Sequence, residues 1–89
     1  MVKNYMEILV EEHLSGVIKD QEHIQSCKKC QEDVQAIALS NLKPMYVVTE
    51  KGSLYAKLNE FSLQFKSDVL RELIRAVEKV SEKPQHEDL

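Results

Sequence analysis

The stretch Leu58-Asn59-Glu60-Phe61-Ser62-Leu63-Gln64-Phe65-Lys66-Ser67-Asp68-Val69-Leu70-Arg71-Glu72-Leu73-Ile74-Arg75-Ala76-Val77-Glu78-Lys79-Val80-Ser81 decides the fold. Its apolar residues recur at three- and four-residue steps, the spacing of a helix. One stripe is Leu58, Phe61, Phe65, Val69, Leu73, Ala76 and Val80. A second, Leu63, Leu70, Ile74 and Val77, lies about 100° round the helix. The spacing predicts a long helix from Ser53 or Leu58 to Ser81. A helix apolar over so wide an arc needs cover on two sides.

The rest of the chain offers two shorter helices as cover. Val2, Tyr5, Met6, Leu9, Val10, Leu14 and Val17 fall on one helical face, which predicts a helix from Asn4 to Ile18. Asn4 is its N-cap, with Glu7 three residues on as a capping-box partner. Glu7, Glu11 and Glu12 take the solvent side. Lys19-Asp20-Gln21-Glu22 reads as a polar connection. A second helix runs from Ser26 or Cys27 to Leu42, with Cys30, Val34, Ile37, Ala38 and Leu42 as its stripe. Pro44 disfavours helical geometry at Lys43 and ends it. Pro44-Met45-Tyr46-Val47-Val48-Thr49 favours extended backbone. It reads as an ordered loop or one short strand with no evident sheet partner, closed by a turn at Gly52.

The expected fold is therefore all-α: about three main helices with an irregular Pro/Tyr loop, in one domain over residues 1–82. The polar tail 83–89 follows it. Two short helices cannot easily cover the long one, and a second copy can. Two-fold dimers are the commonest oligomers, so a homodimer is expected. A chain of 89 residues also has a marginal core unless a metal, a disulfide or a partner helps.

Composition removes several function classes. The formal net charge is −3, which argues against a general nucleic-acid binder. No run approaches the roughly 18 apolar residues of a membrane span, and Glu7, Glu11 and Glu12 interrupt any export signal. The cytoplasm is the expected compartment. No phosphate loop, Gly-x-Ser-x-Gly or His-Glu-x-x-His motif is present, so the expectation is a binding protein and not an enzyme.

Three groups of residues bear chemistry. Cys27 and Cys30, at Cys-x-x-Cys spacing, can share a tetrahedral zinc, and His23 is a conceivable third ligand. A redox role needs a βαβ setting that this sequence lacks. The alternative is two reduced cysteines packed at a helix start. If complete, the zinc site would draw on His13, His86 or another subunit, and Lys28 and Lys29 would lower both thiol pKa values. The second group is Lys43, Tyr46, Lys51, Tyr55 and Lys57, where rings can stack on bases and ammonium groups can meet phosphates. The third is Arg71 and Arg75, one turn apart, the two arginines of the chain. They suit either helix-surface ion pairs with Asp68, Glu72 or Glu78, or a fork on a phosphate or a guanine edge.

The block Cys27-x-x-Cys30-x-x-Asp33-Val34-x-Ala36-x-Ala38-Leu39-x-Asn41-x-x-Pro44-x-Tyr46-Val47, continuing through Gly52, Tyr55 and Lys57, resembles the ComFB family of late competence development proteins. The resemblance extends loosely to the first and last helices. It implies a small α-helical homodimer without catalytic activity, a bacterial cytoplasmic regulator tied to competence, pilus function or motility. Some members of that family are receptors for cyclic dinucleotides, notably cyclic di-GMP, and some carry zinc on a cysteine cluster that includes the Cys-x-x-Cys pair. This chain departs from the fuller cysteine pattern, with Cys27 and Cys30 alone and His23 nearby. Two readings follow. One is a cyclic-dinucleotide receptor that alters the affinity for a protein partner. The other is a ligand-independent dimeric adaptor, with or without zinc.

Overall fold

The computed structural model describes residues 2–48 and 51–82, and the side chains of residues 51–62 are outside that description. The expected tail at 83–89 lies outside the described residues. The order of elements is β1 (Val2–Asn4), α1 (Tyr5–Val17), α2 (Glu22–Gln25), α3 (Lys28–Ser40), β2 (Tyr46–Val48) and α4 (Lys51–Glu82). The fold is mostly helical, as the periodicity requires, and α4 packs across both α1 and α3.

The core is the inner face of α4 meeting the inner faces of the shorter helices. Val69, Leu73, Ala76, Val77 and Val80 of α4 are buried against Met6, Leu9, Val10 and Leu14 of α1 and Cys30, Val34 and Ala38 of α3. Leu73, Val69, Leu9, Val10 and Val34 have no accessible surface. Each such aliphatic side chain contributes about 1.5–3 kcal/mol by leaving water. α4 has 32 residues and α1 and α3 have 13 each. At 1.5 Å per residue those lengths are about 48 Å and about 20 Å. The short helices therefore cannot cover α4 from end to end.

Four sequence expectations need correction. The Tyr46–Val48 segment does have a sheet partner: β1 pairs with it antiparallel, Val2 opposite Val48, Lys3 opposite Val47 and Asn4 opposite Tyr46. Val2 consequently belongs to a strand and not to the α1 stripe, and it is 65% exposed. The cause is Asn4. As N-cap in extended conformation it ends the helix, so the residues before it are free to pair. Second, the connection after α1 contains the single-turn helix α2, whose Ile24 is fully buried in the core. Third, α4 begins at Lys51, before the expected start. Fourth, Val77 lies in the core of the single chain, whereas Leu63 is 85% and Ile74 50% exposed and Leu70 is half-buried. The second stripe is thus Leu63, Leu70 and Ile74.

Candidate functional site

The loop between α3 and β2 is positioned by one side chain at the other end of the sequence. The Asn4 side-chain oxygen accepts the Met6 amide at 3.1 Å, capping α1, and also accepts the Met45 amide at 2.9 Å. The Tyr5 amide donates to the Met45 carbonyl at 2.7 Å. The α1 cap and the loop thus share one clasp, in place of the reciprocal capping box with Glu7. At the other side of the loop, Asn41 caps the end of α3, its side-chain amide donating to the Ile37 carbonyl at 2.9 Å.

This clasp shapes a cleft of about 360 Å³ lined by Met6, Leu42, Lys43, Pro44, Met45, Phe65 and Asp68. That volume is at the small end of ligand pockets. Its wall is mostly apolar, with Lys43 and Asp68 as the charged members. Lys43 is exposed, and Tyr46, 68% exposed, lies two residues beyond Pro44 at the start of β2. Lys51, Tyr55 and Lys57 lie in the first two turns of α4 and their side chains are outside the described residues.

Asp68 joins this cleft to Arg71. Arg71 Nη2 meets Asp68 Oδ1 at 3.1 Å, and Arg71 Nε meets Glu72 Oε2 at 3.4 Å. Arg75 Nη1 reaches the same Glu72 oxygen at 3.3 Å. The two arginine side chains are 53% and 64% exposed, while that of Glu72 is 8% exposed. The ion pairs expected of Arg71 with Asp68 and Glu72 are present, whereas Arg75, expected to pair with Glu78, pairs with Glu72. Sequence reasoning missed that Arg71, through Asp68, is tied to the wall of the loop cleft. The i, i+3 spacing revealed the pairing; only the docking of α4 against the loop brings Asp68 to the cleft.

Cys27 and Cys30 are placed at the opposite end of α3. Cys27 is the N-cap, and its sulfur accepts the Cys30 amide at 3.2 Å. The Cys30 thiol donates to the Cys27 sulfur. That bond, followed by the Cys30 amide, holds the Cys27 pKa below the ordinary thiol value. The same thiol–thiol bond, followed by burial, pushes Cys30 up to about 11. The expectation that Lys28 and Lys29 would lower both thiols is therefore corrected. Helix geometry aims the Lys29 backbone amide at Cys27, and Cys30 goes the other way.

The donor set for zinc is incomplete in one chain. His23 is exposed and its Nε2 lies 3.5 Å from Ser81 Oγ, tying α2 to the end of α4. His13 Nε2 is buried without a hydrogen-bond partner on α1. His86 is outside the described residues. No group of three His, Cys, Asp or Glu side chains suited to one metal ion occurs among the described residues. The two thiols supply half of a tetrahedral zinc site. Among the described residues no helix is long and apolar enough to cross a membrane.

The sequence and the fold both resemble those of known proteins. The competence protein ComFB of Bacillus subtilis strain 168 is 34% identical over 85 residues, spanning 94% of this chain and 86% of that protein. The solved structure of the late competence protein ComFB from Bacillus subtilis superposes with a TM-score of 0.72 at 33% identity, covering 97% of this chain and 94% of that one. The family model described as late competence development protein ComFB matches residues 3–84. With nearly the whole domain matched in sequence and in fold, this chain belongs to the ComFB family of late competence development proteins.

Proposed function

We propose that this protein is a non-enzymatic bacterial signalling protein, a homodimeric receptor for a cyclic dinucleotide, cyclic di-GMP first, that regulates competence, pilus function or motility through a protein partner. The observation that carries this reading is the junction at Asp68. It places Arg71 against an aspartate that lines the same apolar cleft as Lys43, and Glu72 links Arg71 to Arg75 one turn further along α4. An apolar wall suits the face of a purine, and cations beside it suit the phosphates. The net negative charge of the chain is no obstacle, because the local charge sets the local potential, and here Lys43, Arg71 and Arg75 outnumber Asp68 and Glu72 by one. A two-fold ligand also suits a two-fold dimer, for which the exposed Leu63, Leu70 and Ile74 stripe provides a face. Zinc, where the chain holds it, is bound through Cys27 and Cys30, with its remaining ligands supplied from outside the described residues.

Calorimetric titration of the full chain with cyclic di-GMP and cyclic di-AMP tests the receptor. Binding of either is expected, with cyclic di-GMP the tighter. Lys43→Glu weakens it, and Tyr46→Ala weakens it roughly tenfold if a base stacks there. No heat and no thermal shift at about 100 µM of either dinucleotide, a ceiling near −5.5 kcal/mol, overturns the receptor. The ligand-independent adaptor then takes its place.

A further inference from the structure

We propose that Glu72 is the positioning residue of a two-arginine anion clamp, in which Arg71 and Arg75 close on a phosphodiester group of the ligand. The inference rests on the cyclic-dinucleotide reading above and names the group that organises its charged half.

Glu72 is the one buried charged residue among the described residues. A carboxylate leaves water only when it is paired, and here one oxygen, Oε2, serves both guanidinium groups. An exposed glutamate would hold two mobile arginines weakly and in many geometries. The Glu72 carboxylate is fixed by its burial beside the α4 core face, where Val69, Leu73 and Ala76 have no accessible surface. It therefore fixes what it binds. Asp68, itself 53% exposed, meets the far side of Arg71 and adds only a weak hold of its own.

The bonded atoms are few relative to the donors available. A guanidinium carries five N–H donors in a rigid fork. Arg71 uses Nε and Nη2, and Arg75 uses Nη1. Among the described contacts nothing engages Arg71 Nη1 or Arg75 Nε and Nη2. These donors stand on half-exposed side chains one helical turn apart, and Arg71 is paired to Asp68, which lines the cleft that also carries Lys43. Phosphodiester oxygens match the arginine fork in a way that lysine cannot copy. Ordering the forks in advance removes rotamer freedom that the ligand would otherwise have to freeze.

A double-mutant cycle in the full-length chain, read by calorimetric titration with cyclic di-GMP, tests the clamp. Glu72→Gln keeps the shape and removes the charge. It is expected to lower affinity about tenfold, within the range for residues in one ion-pair network. In an Arg71→Ala/Arg75→Ala background the same change is expected to have no further effect. Arg71→Lys/Arg75→Lys retains both charges on an exposed face and is expected to lose affinity as well, which keeps the test open if Glu72→Gln does not fold. A wild-type chain that binds no dinucleotide removes the receptor reading itself. Wild-type binding with an unchanged Glu72→Gln affinity, or with lysines that serve as well as arginines, overturns the clamp alone. An equal loss on Glu72→Gln with and without the arginines also overturns it, since the role is then merely structural.

Discussion

Leu73 and Ile74 are neighbours in sequence and have opposite fates. Leu73 has no accessible surface, and Ile74 is 50% exposed. One step along a helix turns a side chain by about 100°, enough to move it from the seam with α1 and α3 to the open stripe shared with Leu63 and Leu70. The same contrast recurs at the start of α3. Cys30 is buried with its pKa pushed up to about 11, while Cys27, at the N-cap, is half-buried and lowered. In both places the residue type is constant or nearly so, and position on the helix decides its chemistry.

The largest effect is expected on the closed face. Leu73→Ala should cost about 2–5 kcal/mol, the loss of buried methyl groups plus the cavity they leave. Urea denaturation measures it, and a loss below about 1 kcal/mol would mean that the seam collapses around the gap.

On the open face, Ile74→Asp is expected to change the stability of a single chain by no more than about 0.5 kcal/mol, as for other surface substitutions. Its effect falls on self-association. Light scattering at micromolar concentration should show the wild type as a dimer and the variant as a monomer, since an unpaired charge would be buried at the interface. A wild-type monomer would remove the dimer and leave the stripe to another partner.

The smallest effect separates the two thiols. At pH 8, limiting iodoacetamide should alkylate Cys27 and spare Cys30, because the thiolate is the nucleophile; peptide mapping reads the site. The signs of the linkage also differ. Cys30, raised from 9.0 to about 11, contributes stability that is complete below 9.0 and lost as pH rises through about 11. Cys27, lowered, contributes stability present above the ordinary thiol value and lost as pH falls through its own pKa. The stability difference between wild type and Cys30→Ala should therefore shrink between pH 9 and pH 11. A constant difference would mean that the two sulfurs do not share a proton as described.

The three longer helices and most of the core are legible in the chain alone. The 3.6-residue period is a local property, so the inner stripe of α4, the α1 face and the Cys30, Val34 and Ala38 face could be read directly. Asn4 as a cap and Asp68 and Glu72 as partners of Arg71 are legible for the same reason, since each acts within one turn. What lies between elements is set by their packing. The pairing of Val2–Asn4 with Tyr46–Val48 joins residues more than forty positions apart, and a three-residue strand has too short a pattern to announce its partner. Val77 could be assigned to the core only once α4 had docked, because a residue at the border of two stripes goes to whichever neighbour covers it. The candidate site was split for the same reason. Lys43 and Arg71 are separate in sequence, and Asp68 lines the cleft of one and pairs with the other only where α4 passes the loop that Asn4 holds in place.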